Sequence, residues 1–255
     1  MYTVGIDIGS ITAKAALLQD GRLISTNLIF TGYNSATAGK KVFSELLLAA
    51  GMNDTSGIKV VSTGYGRSSV DFADKAITEI TCHAAGAYFL NEKIRFIIDI
   101  GGQDSKAILL DEKGKVKNFV MNDKCAAGTG RFLEVMARAL EINLDDFGAL
   151  SLDAQNPAQI SSLCTVFAES EVISLISKGV ARENIIAGIH ESIGSRIVAL
   201  AARTGLTTPL MVTGGVAKNV GLLGALEKAL GFKPDVSKYA QLTGAIGAAV
   251  LANKL

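Results

Sequence analysis

Apolar positions along the chain follow two spacings. Short, nearly continuous apolar runs end on an acidic residue or a glycine, and longer segments repeat apolar residues every three or four positions. The runs at Tyr2–Ile8, Lys59–Thr63, 95–100 and Leu210–Thr213 predict buried strands. Residues 12–18 and Ser105–Leu110 predict antiparallel returns, and Arg22–Phe30 follows a turn at Gln19-Asp20-Gly21. Helical spacing predicts helices over 40–50, 78–90, 165–178, 184–202, 222–230 and 243–253, the last rich in Gly and Ala and so suited to close packing. A strand-like 119–121 leads into residues 122–131, Asn-Asp-Lys-Cys-Ala-Ala-Gly-Thr-Gly-Arg. Beyond it Phe132, Leu133, Met136, Ala137 and Leu140 recur at helical spacing.

The opening unit occurs twice. Asp7-Ile8-Gly9-Ser10 and Asp99-Ile100-Gly101-Gly102 each end a strand and lead into a hairpin, and Asp99 follows Asp7 by 92 residues. Gly9 and Gly101, Lys14 and Lys106, and Leu17-Leu18 and Leu109-Leu110 keep the same offset without a gap. Such a repeat predicts a duplicated α/β fold with two lobes around a cleft. Lobe I is expected over residues 1–94, with the terminal helix 243–255 returning to it, and lobe II over 95–242.

Composition narrows the class. The 255 residues are 49% hydrophobic, with mean hydropathy +0.34, enough for a sizeable core. A net charge of +1 without a basic block argues against nucleic acid as a partner. No uncharged apolar run reaches membrane-spanning length and no basic leader precedes the first strand, so a soluble, cytoplasmic protein is expected. Cys82, Cys125 and Cys164 form no CxxC pair; in a cytosolic chain they are free thiols, ligands or nucleophiles.

An Asp at the end of a buried strand, followed by a glycine turn, suits phosphate chemistry. Turn N–H groups cradle phosphate oxygens, while the carboxylate holds Mg²⁺ through water or orients an attacking water. Two such turns facing each other would clamp a triphosphate, and Gly214-Gly215 at a strand-to-helix junction would let sugar and base approach the backbone. Asp99 is expected to act as the base ahead of Asp7, because Gln103-Asp104 lie beside it. Lys14 and Lys106 either reach phosphates or line a solvated hairpin face.

Cys125 lies ahead of a helix start, where backbone N–H groups favour a thiolate, and Cys164 precedes another helix. Two thiolates cannot complete a four-ligand zinc or iron–sulfur site, but two subunits about a two-fold axis would supply four. Two unrelated core thiols are the alternative. Cys82-His83, in an apolar helix, and His190 read as packing residues.

Several stretches together resemble a known family. They are Gly5-Ile6-Asp7-Ile8-Gly9-Ser10, Thr63-Gly64-Tyr65-Gly66-Arg67 and Ile98-Asp99-Ile100-Gly101-Gly102-Gln103-Asp104, then residues 121–131, Cys164-Thr165-Val166-Phe167-Ala168-Glu169-Ser170-Glu171 and Thr213-Gly214-Gly215-Val216-Ala217. The chain resembles the activator ATPases of 2-hydroxyacyl-CoA dehydratases and the related benzoyl-CoA reductase subunits (the BadF-BadG-BcrA-BcrD type). These belong to the acetate kinase/sugar kinase/Hsp70/actin superfamily. The resemblance implies a homodimer sharing one [4Fe-4S] cluster ligated by Cys125 and Cys164 of each subunit, with ATP or ADP and Mg²⁺ as further cofactors. It implies transfer of one low-potential electron, received from ferredoxin or flavodoxin, to a partner dehydratase, benzoyl-CoA-type reductase or double-cubane cluster protein. Gly9, Ser10, Ile11, Thr12, Gly101, Gly102, Gln103, Gly214, Gly215 and Val216 are implied nucleotide contacts, and Asp7, Asp99, Gln103 and Asp104 serve Mg²⁺ and the hydrolytic water. Gly128 and Gly130 lie between cluster and nucleotide, Glu134 meets the ribose, and Gln241 lines the adenine side. A small-molecule kinase of the same fold and a nucleotide-gated assembly or chaperone module are the alternatives.

Overall fold

The computed structural model describes residues 1–161 and 164–255. The chain forms two compact units, one of Met1–Ile97, Ile108–Asn118 and Ser237–Leu255, the other of Ile98–Ala107 and Phe119–Val236.

In the first unit, β1 (Tyr2–Ile8), β2 (Thr12–Gln19), β3 (Arg22–Phe30), β4 (Lys59–Thr63) and β5 (Lys75–Ala76) form a sheet ordered β3-β2-β1-β4-β5. β1 pairs antiparallel with β2 and parallel with β4, and the register sets Asp7 opposite Lys14. Alternation divides β2 between two helical layers. Ala13, Ala15 and Leu17 pack with Val4, Ile6 and Ile8 of β1 and with Val42 and Leu46 of α1 (Ser35–Ala49). Ala16 and Leu18 pack with Ala245, Ile246 and Ala249 of α8 (Thr243–Ala252). Each large apolar side chain so buried contributes roughly 1.5–3 kcal/mol.

α1 begins five residues before the expected residue 40, because Asn34 caps it by accepting from the Thr37 N–H at 2.9 Å. Its first turn, Ser35-Ala36-Thr37-Ala38-Gly39, carries no large apolar residue to announce a helix. α2 (Glu79–Leu90) and α8 approach closely: a Cβ on Gly247 would overlap the Cys82 carbonyl, and one on Gly86 that of Thr243. The Gly/Ala-rich terminal helix thus packs as its composition predicts.

A second sheet, β8-β7-β6-β9, comprises β6 (Phe96–Ile100), β7 (Ser105–Leu110), β8 (Val116–Asn122) and β9 (Leu210–Thr213). β8 extends the strand-like 119–121 to seven residues; its exposed, partly polar positions hide its length in the sequence. The second unit holds α3 (Gly130–Ala139), α4 (Leu144–Leu150), α5 (Thr165–Ser177), α6 (Arg182–Ala202) and α7 (Val220–Leu230). α4 has no predicted counterpart, since seven residues with an acidic first turn show little periodicity. α6 is long and apolar enough to cross a membrane by length and composition alone, but Ile185, Ile186, Ile189, Ile193 and Ile197 are buried within the protein.

Candidate functional site

Each repeat ends in a buried carboxylate paired with the lysine seven residues on. In the first unit, Lys14 Nζ lies 3.2 Å from Asp7 Oδ2. Asp7 Oδ1 is buried and has no hydrogen-bond partner. A buried carboxylate oxygen in that condition fits a cation or an ordered water. Beyond it, the Gly9 N–H donates to the Thr12 carbonyl at 3.0 Å, closing a tight turn over Gly9, Ser10, Ile11 and Thr12. Thr31 braces this turn: its hydroxyl donates to the Gly9 carbonyl at 2.8 Å and its N–H to that of Ile11 at 2.9 Å. Gln241, in the turn Ala240–Leu242 before α8, carries a buried Oε1 without a partner.

In the second unit, Asp99 Oδ1 accepts from the Thr213 hydroxyl at 2.9 Å and Oδ2 from Lys106 Nζ at 3.1 Å. The same ammonium lies 2.8 Å from Asp104 Oδ2. Lys106 is therefore an internal cation, 1% exposed, and not part of a solvated hairpin face. Both Asp99 oxygens accept hydrogen bonds, whereas Asp7 Oδ1 has no partner. Gln103 itself is exposed.

Within the second unit, three glycine-bearing loops meet beside Asp99 and Asp104. The Gly101 N–H donates to the Asp104 carbonyl at 2.9 Å. At the start of α3 the Gly130 N–H donates to the Gly101 carbonyl at 2.9 Å and the Arg131 N–H to that of Gly102 at 2.8 Å. A Cβ on Gly130 would stand 3.3 Å from the Gly101 oxygen, the Gly102 Cα and Val216 Cγ2 alike. Gly214 has φ +91°, and any side chain there would strike the Ile100 carbonyl, so the third loop, leading into Gly215 and Val216, also requires glycine. Glu134, on α3, is paired with Arg131 at 2.9 Å.

Cys125 and Cys164 are exposed and free; Cys82 is fully buried in α2, where burial pushes its thiol up to about 12. Cys164 is the N-cap of α5. Cys125 stands differently. α3 begins at Gly130, and Cys125 lies five residues ahead in a turn held by Asn122, whose Nδ2 donates to the Cys125 carbonyl at 2.7 Å and to that of Ala127 at 3.2 Å. The Cys125 N–H in turn donates to Asn122 Oδ1 at 3.2 Å, and Gly128 takes φ +86° to bring the chain round. Two exposed, unpaired, soft donors are the right type for an iron–sulfur cluster, and two per chain suit a site shared by two chains. Lys106 stands out in sequence by its place in the repeat; Thr31 and Asn122 act through side-chain bonds to backbone carbonyls, for which the sequence offers no spacing rule.

Comparison with known proteins gives the family. The BadF/BadG/BcrA/BcrD ATPase family matches residues 4–252. The activator of lactoyl-CoA dehydratase from Anaerotignum propionicum is 51% identical over 253 residues, covering 99% of this chain and 97% of that protein. Component A of the (R)-2-hydroxyglutaryl-CoA dehydratase of Acidaminococcus fermentans superposes with a TM-score of 0.96 at 46% identity, covering 100% of this chain and 98% of that one. The activator of the 2-hydroxyisocaproyl-CoA dehydratase from Clostridium difficile, solved with bound ADPNP, gives 0.93 at 45% identity, covering 100% and 95%. A ROK family glucokinase from Streptomyces griseus, 15% identical with a TM-score of 0.61 over 100% of both chains, shares the fold alone. The fold is that of the acetate kinase/sugar kinase/Hsp70/actin superfamily, and the chain belongs to the BadF/BadG/BcrA/BcrD ATPase family.

Proposed function

We propose that this protein hydrolyses ATP and uses the cycle to deliver one low-potential electron to a partner dehydratase or reductase of CoA thioesters. The observation that carries the reading is the double hydrogen bond from the start of α3 to the carbonyls of Gly101 and Gly102, with exposed Cys125 in the turn just ahead of that helix. A nucleotide-sensing turn is thereby tied to the segment presenting a metal-ligating thiol.

The residues fit the groups the family implies. Cys125 and Cys164 of each of two subunits would hold one [4Fe-4S] cluster, and the unpartnered oxygen of Asp7 suits the water shell of Mg²⁺. The cluster, when bound, stores and releases a single electron. Asp7 orients the hydrolytic water, while Asp99 and Asp104 are held around Lys106 as a fixed charge arrangement. Water attacks the γ-phosphorus, the bond to the bridging oxygen breaks, and ADP leaves with that oxygen's charge. The turn at Gly101-Gly102, which held the γ-phosphate, loses it, which is the kind of change nucleotide switches exploit. Gly215, Val216, Glu134 and Gln241 are proposed around sugar and base, Gln241 through its unpartnered Oε1. Ferredoxin or flavodoxin is the proposed donor, a homodimer the working form and the cytoplasm its place.

Anaerobic purification tests the reading. A brown protein with broad visible absorbance that reduces its partner only with ATP is expected. A colourless protein that passes the γ-phosphate to a small molecule would instead make it a kinase.

A further inference from the structure

His83, which reads as a packing residue in sequence, lies beside the first of the two carboxylates. It occupies the fifth position of α2 and is 4% exposed. The close approach of α2 to α8 brings it against Gly244. His83 Nε2 lies 2.9 Å from the point a Cβ on Gly244 would occupy, and Asp7 Oδ2 lies 2.9 Å from the same point. The two atoms are thus separated by at most twice that distance, within the span of one bridging water. Any larger residue at 244 would push between them. Glu79 Oε1 is 3.8 Å from the same Nε2, and Lys14 holds Asp7 from the other side at 3.2 Å. An apolar packing position does not need an imidazole beside a carboxylate, and a buried polar group of this kind has a hydrogen-bonding task.

We propose that His83 is a positioning residue of the ATPase site, holding through Nε2 a water that bridges to the Asp7 carboxylate. With Lys14 and that water on Oδ2, the carboxylate is fixed in rotation, and Oδ1, the oxygen without a partner, is the one left for the Mg²⁺ water shell. The inference rests on the reading of Asp7 as a nucleotide-site residue and adds a role for α2, which no glycine turn of the site contains.

The test uses the full chain with Mg²⁺ and ATP varied separately. His83→Leu preserves bulk but no polar atom; His83→Gln places an amide nitrogen near the position of Nε2. Loss of one productive hydrogen bond predicts a kcat about tenfold lower for His83→Leu, with KM for ATP little changed and most of the rate recovered in His83→Gln. The chain has two histidines, so selective carbon-13 labelling gives two ring signals. The His83 signal is expected to move when Mg²⁺ is added to the ADP complex of the wild type, and that of His190 to stay. Equal rates in both variants, whether unchanged or equally reduced, or an unmoved His83 signal, would overturn the proposal. Asp7→Asn separates the two levels: wild-type turnover in that variant would remove the site reading itself, whereas its loss alongside an indifferent His83 would remove only the role given to His83.

Discussion

The first amide of α3, that of Gly130, donates to the carbonyl of Gly101 at 2.9 Å, so the turn that follows Asp99 and the helix that follows Cys125 share a hydrogen bond. The bond is selective enough to remove. Proline is well suited to the first position of a helix, and the extended backbone of Thr129 (φ −130°, ψ 171°) tolerates a following proline. Gly130→Pro deletes the donor, and Gly130→Ala adds the same crowding near Val216 while keeping it. Gly130→Pro is expected to keep ATPase activity within a few-fold of Gly130→Ala and to lower electrons delivered per ATP about tenfold against it, a loss matching one hydrogen bond. Parallel assays of phosphate release and partner reduction check this.

Lys106 holds two carboxylates in a buried space, Asp99 at 3.1 Å and Asp104 at 2.8 Å. Removing one member of a buried ionic cluster leaves uncompensated charge and costs about 3 to 5 kcal/mol. Lys106→Met is expected to lower stability in urea by that amount, and adding Asp104→Asn to recover part of it, because one of the two stranded charges is then gone. Lys14, more exposed and with a single partner at 3.2 Å, should cost less when replaced.

His190 offers a pH dependence with a definite sign. It is 1% exposed, stacks edge-on with Phe147, and neither ring nitrogen has a hydrogen-bond partner; burial pushes it down from 6.5 to about 4. Unfolded chains therefore take up this proton as pH falls below 6.5, while the folded protein refuses it until about pH 4. The stability is complete above pH 6.5 and is lost between there and pH 4, by roughly 3 kcal/mol. Denaturation midpoints measured across that window should fall more steeply for the wild type than for His190→Leu.

Much of this architecture was legible because the repeat is strict. An Asp at a strand end, a glycine turn and a lysine seven residues on appear twice, and both copies fold into the same strand pair with the same ion pair. What the pattern could not say was which way Lys106 points, since a hairpin residue faces core or solvent according to the layers around it. α1 started early through the Asn34 cap, in a first turn without a large apolar residue, and the short α4 escaped because it shows little periodicity. Asn122 shows a different limit: its bonds to the turn of Cys125 depend on a backbone conformation that Gly128 and Thr129 create together. The cysteines were visible as residues, and their exposure, against the burial of Cys82, came only with the fold.

Iron and acid-labile sulfide per dimer, measured after anaerobic purification of the wild type and of Cys82→Ala, Cys125→Ala and Cys164→Ala, bear most directly on a cluster shared between two subunits. About four irons per dimer are predicted for the wild type and for Cys82→Ala, whose thiol is buried, and close to none for either of the other two. A Cys125→Ala protein that kept its iron and its ATP-dependent electron delivery would contradict the account.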